Sequence, residues 1–493
     1  MALMLDNRGR PPSPYLAFRP IERLALAGLL IAIVLVAGVV SFFSEGGSHP
    51  LLFGAFAVYV LTLSLPLFRS FLGTPALFHP LFFYATWMGL RSLLTGDVVL
   101  GATGLEFHRA LYGMGSTELE YVAAVSFLLE ALSLVSLYVG YGLFRNFKVP
   151  VFRPTVVPRR LTVAAVLWMF LPFGAVVILS IEAGGLGSLM LQRGIASDLR
   201  MAAEIGGHWN FLAGTGVVVP VVWLAIDRKA ARNPVFWGVA LLAAFLVFAA
   251  TGSRSSAIVP FITIALMWSI RNRDIPYKSL WIGAVIAVMA VGILGEFRDA
   301  TRGADWLGEV QIDARAWDGA LRGYDELVRR STTDNGQIAV LGSVPEHVGH
   351  LYGRSYLSIP FVFIPSAIWP GDMPDAAGKL NATYIYDNPL TGIPTGVVGE
   401  AYWNFSYLGV VVVFLLFGGV LRLVASLFRK NIDHALVLVF FLYTLTSLAP
   451  GSNQVYNFVH AIVPALLFYF FVHLISKLRY GGVSVSSRQT ASS

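Results

Sequence analysis

Cysteine is absent from this sequence of 493 residues, and charged residues are scarce, at 13%. Without cysteine the chain forms no disulfide, no thiolate metal site and no thiol nucleophile. Soluble domains carry roughly 25% charged residues, whereas 56% of this sequence is hydrophobic. The composition therefore excludes a water-soluble fold and predicts a membrane protein.

Recognisable cofactor motifs are also missing. The sequence has no Walker A loop, Rossmann glycine pattern, HExxH motif or nucleophile elbow in a credible context. Its net charge of +7 would favour nucleic acid only if the basic residues clustered on a soluble face, and they instead punctuate the hydrophobic segments. We therefore expect no cofactor, no metal and no nucleic-acid partner, and any reaction must use an already activated substrate.

Hydrophobic stretches of about 20 residues, the length that a bilayer core requires, recur along nearly the whole chain. They predict an all-α polytopic membrane protein with about twelve transmembrane helices and both termini in the cytoplasm. Lysine and arginine gather in alternate short loops, as the positive-inside rule requires, and one miscounted helix would break this alternation. The predicted spans are 24–43, 51–70, 77–94, 121–144, 161–181, 209–226, 234–251, 256–270, 279–297, 403–427, 434–450 and 456–475.

These spans divide the chain into three parts. Residues 1–297 carry transmembrane helices 1–9, residues 298–395 form a large periplasmic loop, and residues 396–493 carry helices 10–12 and a short cytoplasmic tail. Long connections are usually functional or disordered, and the many aromatic and apolar residues of this loop argue against disorder. An amphipathic helix over 306–328 and a re-entrant or interfacial segment over 356–369 are predicted within it.

Arginine dominates the basic residues predicted to face outward, where Lys379 is the single lysine. A guanidinium grips phosphate oxygens through two parallel hydrogen bonds, whereas lysine is a hydrated point charge. The bias predicts an anionic phosphate ligand at the outer surface. Pairing with carboxylates or snorkelling at helix ends explains any single arginine equally well. Four positions favour a ligand more strongly: Arg254, Arg298, Arg302 and Arg354.

Two residues are candidates for proton transfer. Histidine suits proton exchange near neutral pH, and His350 lies in the large loop. Glu400, followed by Tyr402 and Asn404, lies where helix 10 meets the membrane, and an ionisable residue there is costly and tends to be functional. A surface histidine usually has no catalytic role, so the choice between His350 and Glu400 for proton transfer stays open. Glu130, deep in helix 4, fits a structural pair with a polar neighbour at least as well as a functional role.

Several short stretches of the outer turns and the large loop form an ordered set: Gly252-Ser253-Arg254, Tyr352-Gly353-Arg354-Ser355-Tyr356, Ile364-Pro365, Trp369-Pro370, Gly392-Ile393-Pro394 and Gly399-Glu400-Ala401-Tyr402-Trp403-Asn404-Phe405. Together they resemble the O-antigen polymerase family, or oligosaccharide repeat unit polymerase family, of the Wzy type. Each stretch is loose alone, and their order and placement carry the likeness. The chain departs from the family at Ser366 and Gly371-Asp372, where members often have basic residues.

The resemblance implies a metal-independent membrane glycosyltransferase of the GT-C type at the outer face of the bacterial inner membrane. Its substrates would be undecaprenyl-diphosphate-linked glycans, and one glycan would be transferred to the non-reducing end of another repeat unit. Flippase and chain-length regulator proteins are implied as partners. The implied catalytic residues are His350 or Glu400 for the acceptor hydroxyl and Arg254, Arg298 and Arg354 for the diphosphate. The implied substrate-binding residues are Arg193, Arg200, Arg302, Tyr402 and Asn404.

Two other functions remain open. An O-antigen ligase shares the fold plan and the donor but transfers the glycan to a lipid core or a protein. The pattern of Pro365, Trp369 and Gly399-Glu400 favours the polymerase. A transporter or flippase would need a polar path through the midplane, often with broken helices and repeated halves. The sequence contains no such repeat, and Glu130 is its main buried charge.

Overall fold

The computed structural model describes residues 20–43, 50–68, 77–94, 116–189, 207–252, 254–274, 335–363, 374–388 and 392–477. Helices form the regular structure of these residues, and none of the described residues lies in a β-strand. The α-helices are α1 (Pro20–Phe43), α2 (Pro50–Phe68), α3 (Pro80–Leu94), α4 (Ser116–Leu143), α5 (Leu161–Trp168), α6 (Phe170–Glu182), α7 (Gly207–Gly214), α8 (Val218–Ile226), α9 (Pro234–Thr251), α10 (Arg254–Asn272), α11 (Asn335–Ser343), α12 (Ala377–Tyr384), α13 (Val397–Lys430), α14 (Ala435–Thr446) and α15 (Ser452–Lys477), and short 3₁₀ helices cover Ala230–Arg232 and Tyr356–Phe363.

Membrane-spanning candidates are numerous, which confirms the predicted all-α polytopic class. Seven helical segments among the described residues are long and apolar enough to cross a membrane, and shorter apolar helices lie at Leu24–Leu35, Ser256–Asn272 and Ala435–Thr446. The predicted ninth span, 279–297, lies outside the described residues, as does the predicted amphipathic helix over 306–328. The total of about twelve spans therefore stays a prediction.

Two clusters of buried apolar side chains hold the helices together. The first gathers α5 to α10 with α14 and α15, and the rings of Trp223 and Phe236 meet edge to face within it, with centroids 5.6 Å apart. The second gathers α2, α3 and α4 with α11, α12 and much of α13. Helix α13 contributes Phe428 to the first cluster and Phe414 to the second. This long helix therefore joins the two clusters.

Glycines bring α4 and α13 into close contact. A Cβ on Gly140 would overlap the carbonyl oxygen of Leu415, and a Cβ on Gly418 would overlap that of Leu137. Helices in a membrane approach this closely where small residues remove the intervening side chains. The contact between the two helices therefore depends on these glycines.

Helix α11 connects the large loop to the helix bundle. The Nε2 of Gln337 donates to Ser126 Oγ at 2.7 Å and to Glu130 Oε1 at 3.2 Å. All three side chains are buried. Glu130 thus takes part in the kind of structural contact that the sequence indicated, and this contact fastens the loop to α4.

Asn431 performs a similar anchoring role at the other end of α13. Its side chain accepts a hydrogen bond from the backbone N–H of Phe152. It also donates to the carbonyl oxygens of Pro150 and Leu427, each at 2.9 Å. The connection between α4 and α5 is thereby held against the end of α13.

Candidate active site

Helix α13 is broken close to its start. Phe405 has φ −142° and ψ 25°, and Ser406 has φ 55° and ψ −151°, so residues 397–404 form a helical segment of their own. The last carbonyl oxygens of such a segment have no partner within the helix. The break therefore exposes hydrogen-bond acceptors at the point where α13 meets the large loop.

The large loop satisfies these acceptors. The backbone N–H of Leu351 donates to the Trp403 carbonyl oxygen at 3.0 Å, and that of Tyr352 donates to the Asn404 carbonyl oxygen at 3.1 Å. The indole N–H of Trp403 donates in the opposite direction, to the Gly349 carbonyl oxygen at 3.1 Å. This part of the loop is therefore fixed on the end of the first helical segment.

Asn404 extends the junction through its side chain. Its Nδ2 donates to Ser355 Oγ and to the Glu400 carbonyl oxygen, both at 2.8 Å. Its Oδ1 accepts from the Gly353 N–H at 2.9 Å. Asn404 is fully buried, and a buried amide without partners would cost about 1–3 kcal/mol for each unsatisfied group. Asn404 therefore positions the turn that contains Gly353 and Ser355.

Glu400 lies behind this turn and is only 1% exposed. Its Oε1 accepts from Ser355 Oγ at 2.7 Å, and its Oε2 accepts from the Ser452 N–H at 3.0 Å. Ser452 is the first residue of α15, and the N-terminus of a helix stabilises a negative charge. The carboxylate therefore ties together the loop, α13 and α15.

His350 is half-buried at the edge of the same junction. Its Nδ1 lies 3.2 Å from the Trp403 carbonyl oxygen. Because a carbonyl oxygen only accepts, Nδ1 carries the proton and Nε2 of the neutral ring is the proton acceptor. The ring lies against Tyr352 and Tyr402, with centroids 6.1 Å from each. The fixed tautomer suits proton abstraction at Nε2.

Arg354 follows in the loop with an exposed side chain. Its Nη1 donates to the Tyr384 hydroxyl at 3.2 Å, and its Cζ lies 5.8 Å from the centre of the Tyr384 ring. Within the described part of the chain no carboxylate pairs with Arg354. The guanidinium is exposed, and a guanidinium is well suited to binding an anion.

Tyr352 and Tyr402 contact His350, and Tyr407 contacts Tyr402. Tyr352 is 80% exposed and Tyr407 is 53% exposed, whereas Tyr402 between them is buried. The Tyr402 and Tyr407 rings meet edge to face with centroids 5.3 Å apart. Tyr352 has φ 50°, which is uncommon for a residue with a side chain. Tyr402 therefore supports the exposed Tyr407 ring and the His350 ring.

Tyr356 connects the loop to Phe405 at the break in α13 and to Pro450, just before α15. Its hydroxyl donates to the Pro450 carbonyl oxygen at 3.4 Å, and its ring stacks on Phe405 at a centroid distance of 6.5 Å. Burial raises the pKa of Tyr356 above its ordinary value, and the negative charge of Glu400 raises the pKa further. The hydroxyl therefore stays a neutral donor.

The polar residues Glu400, Asn404 and Ser452 fall within one stretch that resembles known proteins. Residues 380–480 match the family model of O-antigen polysaccharide polymerase Wzy. The Wzy match covers about a fifth of the chain and confirms the resemblance that the sequence indicated. No curated protein and no solved structure matches the chain. The loop with His350 and Arg354 precedes the Wzy match but is hydrogen-bonded to it.

Sequence reasoning missed several residues that hold this Wzy-matched stretch. Ser355 lies in the stretch Tyr352-Gly353-Arg354-Ser355-Tyr356, but a lone serine carries no specific signal. Ser452 and Gln337 cannot be recognised from the sequence, since their partners lie 52 and 207 residues away. Only the folded chain brings these pairs together.

The structure describes the predicted site only in part. Arg254 is the first residue of α10 and follows Gly252, whose φ of 64° ends α9. That conformation favours glycine at a helix end. Among the described residues no group of three or more His, Cys, Asp or Glu side chains converges. Four predicted arginines lie outside the described residues: Arg193, Arg200, Arg298 and Arg302.

Proposed function

We propose that this protein polymerises lipid-diphosphate-linked oligosaccharide repeat units for a bacterial surface polysaccharide. One observation carries the proposal: the Wzy-matched stretch and the motif-bearing loop form a single junction. Glu400 and Asn404 of the matched stretch both hydrogen-bond to Ser355, in the loop that carries His350 and Arg354. The residues with candidate chemistry are thus attached directly to the matched helix.

The cellular setting follows from the same proposal. The donor is an undecaprenyl-diphosphate-linked glycan, and the site faces the periplasm from the inner membrane. Both termini lie in the cytoplasm, in agreement with the alternation of basic loops. Flippase and chain-length regulator proteins are the expected partners.

The proposed reaction is a displacement at the anomeric carbon of the donor glycan. A hydroxyl oxygen at the non-reducing end of the acceptor forms the new C–O bond while the bond to the lipid diphosphate breaks. His350 takes the hydroxyl proton at Nε2, because its Nδ1 is engaged with the Trp403 carbonyl oxygen. The diphosphate leaves with the bonding electron pair and stays on its lipid.

Burial favours His350 over Glu400 as the base. A base must approach the proton that it removes to within about 2.6–3.2 Å between heavy atoms. Glu400 is 1% exposed and both of its oxygens accept hydrogen bonds from serines. We therefore assign Glu400, Tyr402 and Asn404 as positioning residues that hold the loop in place.

Arg354 is assigned to the leaving diphosphate. Its exposed guanidinium presents a fork that matches phosphate oxygens, and a fixed positive charge stabilises the negative charge that develops on the leaving group. No metal is needed for this step. The outward arginine bias supports further contacts to the lipid diphosphate from Arg254, Arg298, Arg193, Arg200 and Arg302.

The rings of Tyr352 and Tyr407 are assigned to the acceptor sugar. A flat aromatic ring presents an apolar face that can cover the C–H face of a pyranose. Tyr352 adjoins His350, with ring centroids 6.1 Å apart. A sugar stacked on Tyr352 would therefore bring a hydroxyl close to the His350 Nε2.

Polymerisation by the purified full-length protein tests the proposal. Wild type is incubated with a lipid-diphosphate-linked repeat unit, and the products are separated as a ladder on a gel. His350→Gln should lower the rate by roughly 10²–10⁴-fold, the usual contribution of a general base. His347→Gln is the matched control, because His347 is exposed in the same loop, and its rate should stay close to that of wild type.

Each other outcome has a distinct meaning. Equal loss in both histidine variants would reject His350 as the base while leaving the polymerase intact. A wild-type protein that makes no ladder but transfers glycan to an added lipid core would be an O-antigen ligase. A wild-type protein that transfers glycan to neither acceptor would overturn the proposed function.

A further inference from the structure

An arginine cluster near the far end of α13 plays no part in the proposed reaction. Arg422 lies eight residues before Lys430, the last residue of the helix, or about 12 Å along the axis. Its side chain is partly buried, and its Nε is buried without a hydrogen-bond partner among the described residues. A cation at this depth in a membrane protein is costly and tends to be functional.

Among the described residues, the groups near Arg422 are polar and none of them is acidic. Its Cζ lies 5.0 Å from the centre of the Tyr141 ring, and the Tyr141 hydroxyl oxygen lies 3.2 Å from His79 Nε2, within hydrogen-bond distance. Arg429 stands seven residues further on, which is the same face of the helix. The charges of Arg422 and Arg429 both act on the buried His79. Two permanent positive charges therefore lie near enough to the His79 ring to act on it.

Other arginines at this end of the bundle have acidic partners. Asp433, in the turn after α13, lies 3.3 Å from Arg228 and 3.6 Å from Arg271. No carboxylate of the described residues pairs with Arg422 or Arg429. A general excess of basic residues at this end explains exposed charges, but it does not explain a partly buried cation that no described carboxylate pairs with. A bound anion would supply the negative charge that the described residues lack beside Arg422.

We propose that Arg422 and Arg429, with Tyr141 and His79, form a binding site for a phosphate group. Guanidinium forks match phosphate oxygens in pairs. A helical Cβ points toward the N-terminus, so the Arg429 side chain leans toward Arg422. Arg429 is exposed, which leaves the site open to the surface. The phosphate belongs either to an anionic phospholipid headgroup in the adjacent leaflet or to free phosphate.

Native mass spectrometry of the full-length protein tests this site directly. Wild type is titrated with phosphatidylglycerol and, separately, with zwitterionic phosphatidylcholine, and inorganic phosphate is added as a competitor. Arg422→Gln and Arg429→Gln should each weaken phosphatidylglycerol binding about tenfold or more, because hydrogen bonds to charged groups are lost. Arg422→Lys keeps the positive charge but loses the planar guanidinium. Its affinity for phosphatidylglycerol should therefore lie between those of the two glutamine variants and that of wild type.

The control is Lys477→Gln, which removes one charge at the last residue of α15 and should bind like wild type. Competition by millimolar phosphate would identify free phosphate as the ligand, and its failure would identify the lipid headgroup. The proposal is overturned if both arginine variants bind phosphatidylglycerol as wild type does, or if Lys477→Gln loses as much. Melting temperatures without lipid separate lost binding from lost folding.

Discussion

Asn404 offers the sharpest test of how the loop is held, because α13 and the turn after it supply a matched residue. Asn404→Ala removes three hydrogen bonds, to Ser355, to the Glu400 carbonyl oxygen and from Gly353. Asn431→Ala also removes three, to backbone atoms at the opposite end of α13. The two asparagines are 0% and 3% exposed. They therefore differ chiefly in location.

The expected loss of stability follows from the number of hydrogen bonds that each substitution removes. Each hydrogen bond contributes about 0.5–1.5 kcal/mol net, so three bonds predict a loss of about 3 kcal/mol in the free energy of unfolding for either variant. In Asn404→Ala the loss falls on the turn with Gly353 and Ser355. If the whole loss appears as local opening of that turn, the open form becomes roughly 100-fold more populated.

Two measurements separate local from global effects. Denaturation of the purified variants should show similar losses of stability for Asn404→Ala and Asn431→Ala. Hydrogen exchange at the Tyr352 and Gly353 amides should quicken only in Asn404→Ala, and the rate of ladder formation should fall only there. The reasoning fails if Asn431→Ala loses as much transfer activity, or if Asn404→Ala leaves exchange at these amides unchanged.

Three further predictions concern packing, the buried carboxylate and the leaving group. Gly140→Val should lower stability by about 1–3 kcal/mol through overpacking, whereas Gly142→Val, where a Cβ meets nothing within 4 Å, should leave thermal unfolding nearly unchanged. Glu400→Gln should reduce transfer less than about tenfold, because a general base would contribute 10²–10⁴-fold; a loss of that size would contradict a positioning role. Arg354→Lys should lower kcat/KM for the lipid-diphosphate donor about tenfold by removing the fork, while Lys379→Ala, at an exposed cation in α12, should leave it unchanged.

The helices could be predicted from the sequence because their cause is local. A run of apolar residues of bilayer length must satisfy its own backbone, which a helix does. The break at Phe405 and Ser406 could not be predicted in this way. Neither residue is a proline or a glycine, and the hydrogen bonds that hold the break come from Leu351 and Tyr352, about fifty residues earlier in the chain.

The contrast between local causes and contacts made only by the folded chain also applies to the candidate active site. Glu400 and Asn404 could be singled out because polar residues at the start of an apolar helix are costly. Their role could not be read from that position, since it depends on Ser355 and Ser452, which only the fold brings near. His350 was a candidate by residue type, whereas its tautomer is set by a carbonyl that the break in α13 makes available.

The break in α13 also bears on how the chain enters the membrane during synthesis. Residues 407–430 alone would extend about 36 Å, more than the roughly 30 Å of a hydrocarbon core. The insertion machinery therefore has a span of sufficient length that begins after the break, with Arg422 as the single charged residue between 407 and 428. Glu400 and Asn404 need never be exposed to lipid, because residues 397–404 can be covered later by the loop and by α15. Because Glu400 precedes the spanning segment, the free energy required to bury its carboxylate does not oppose the insertion of that segment into the membrane.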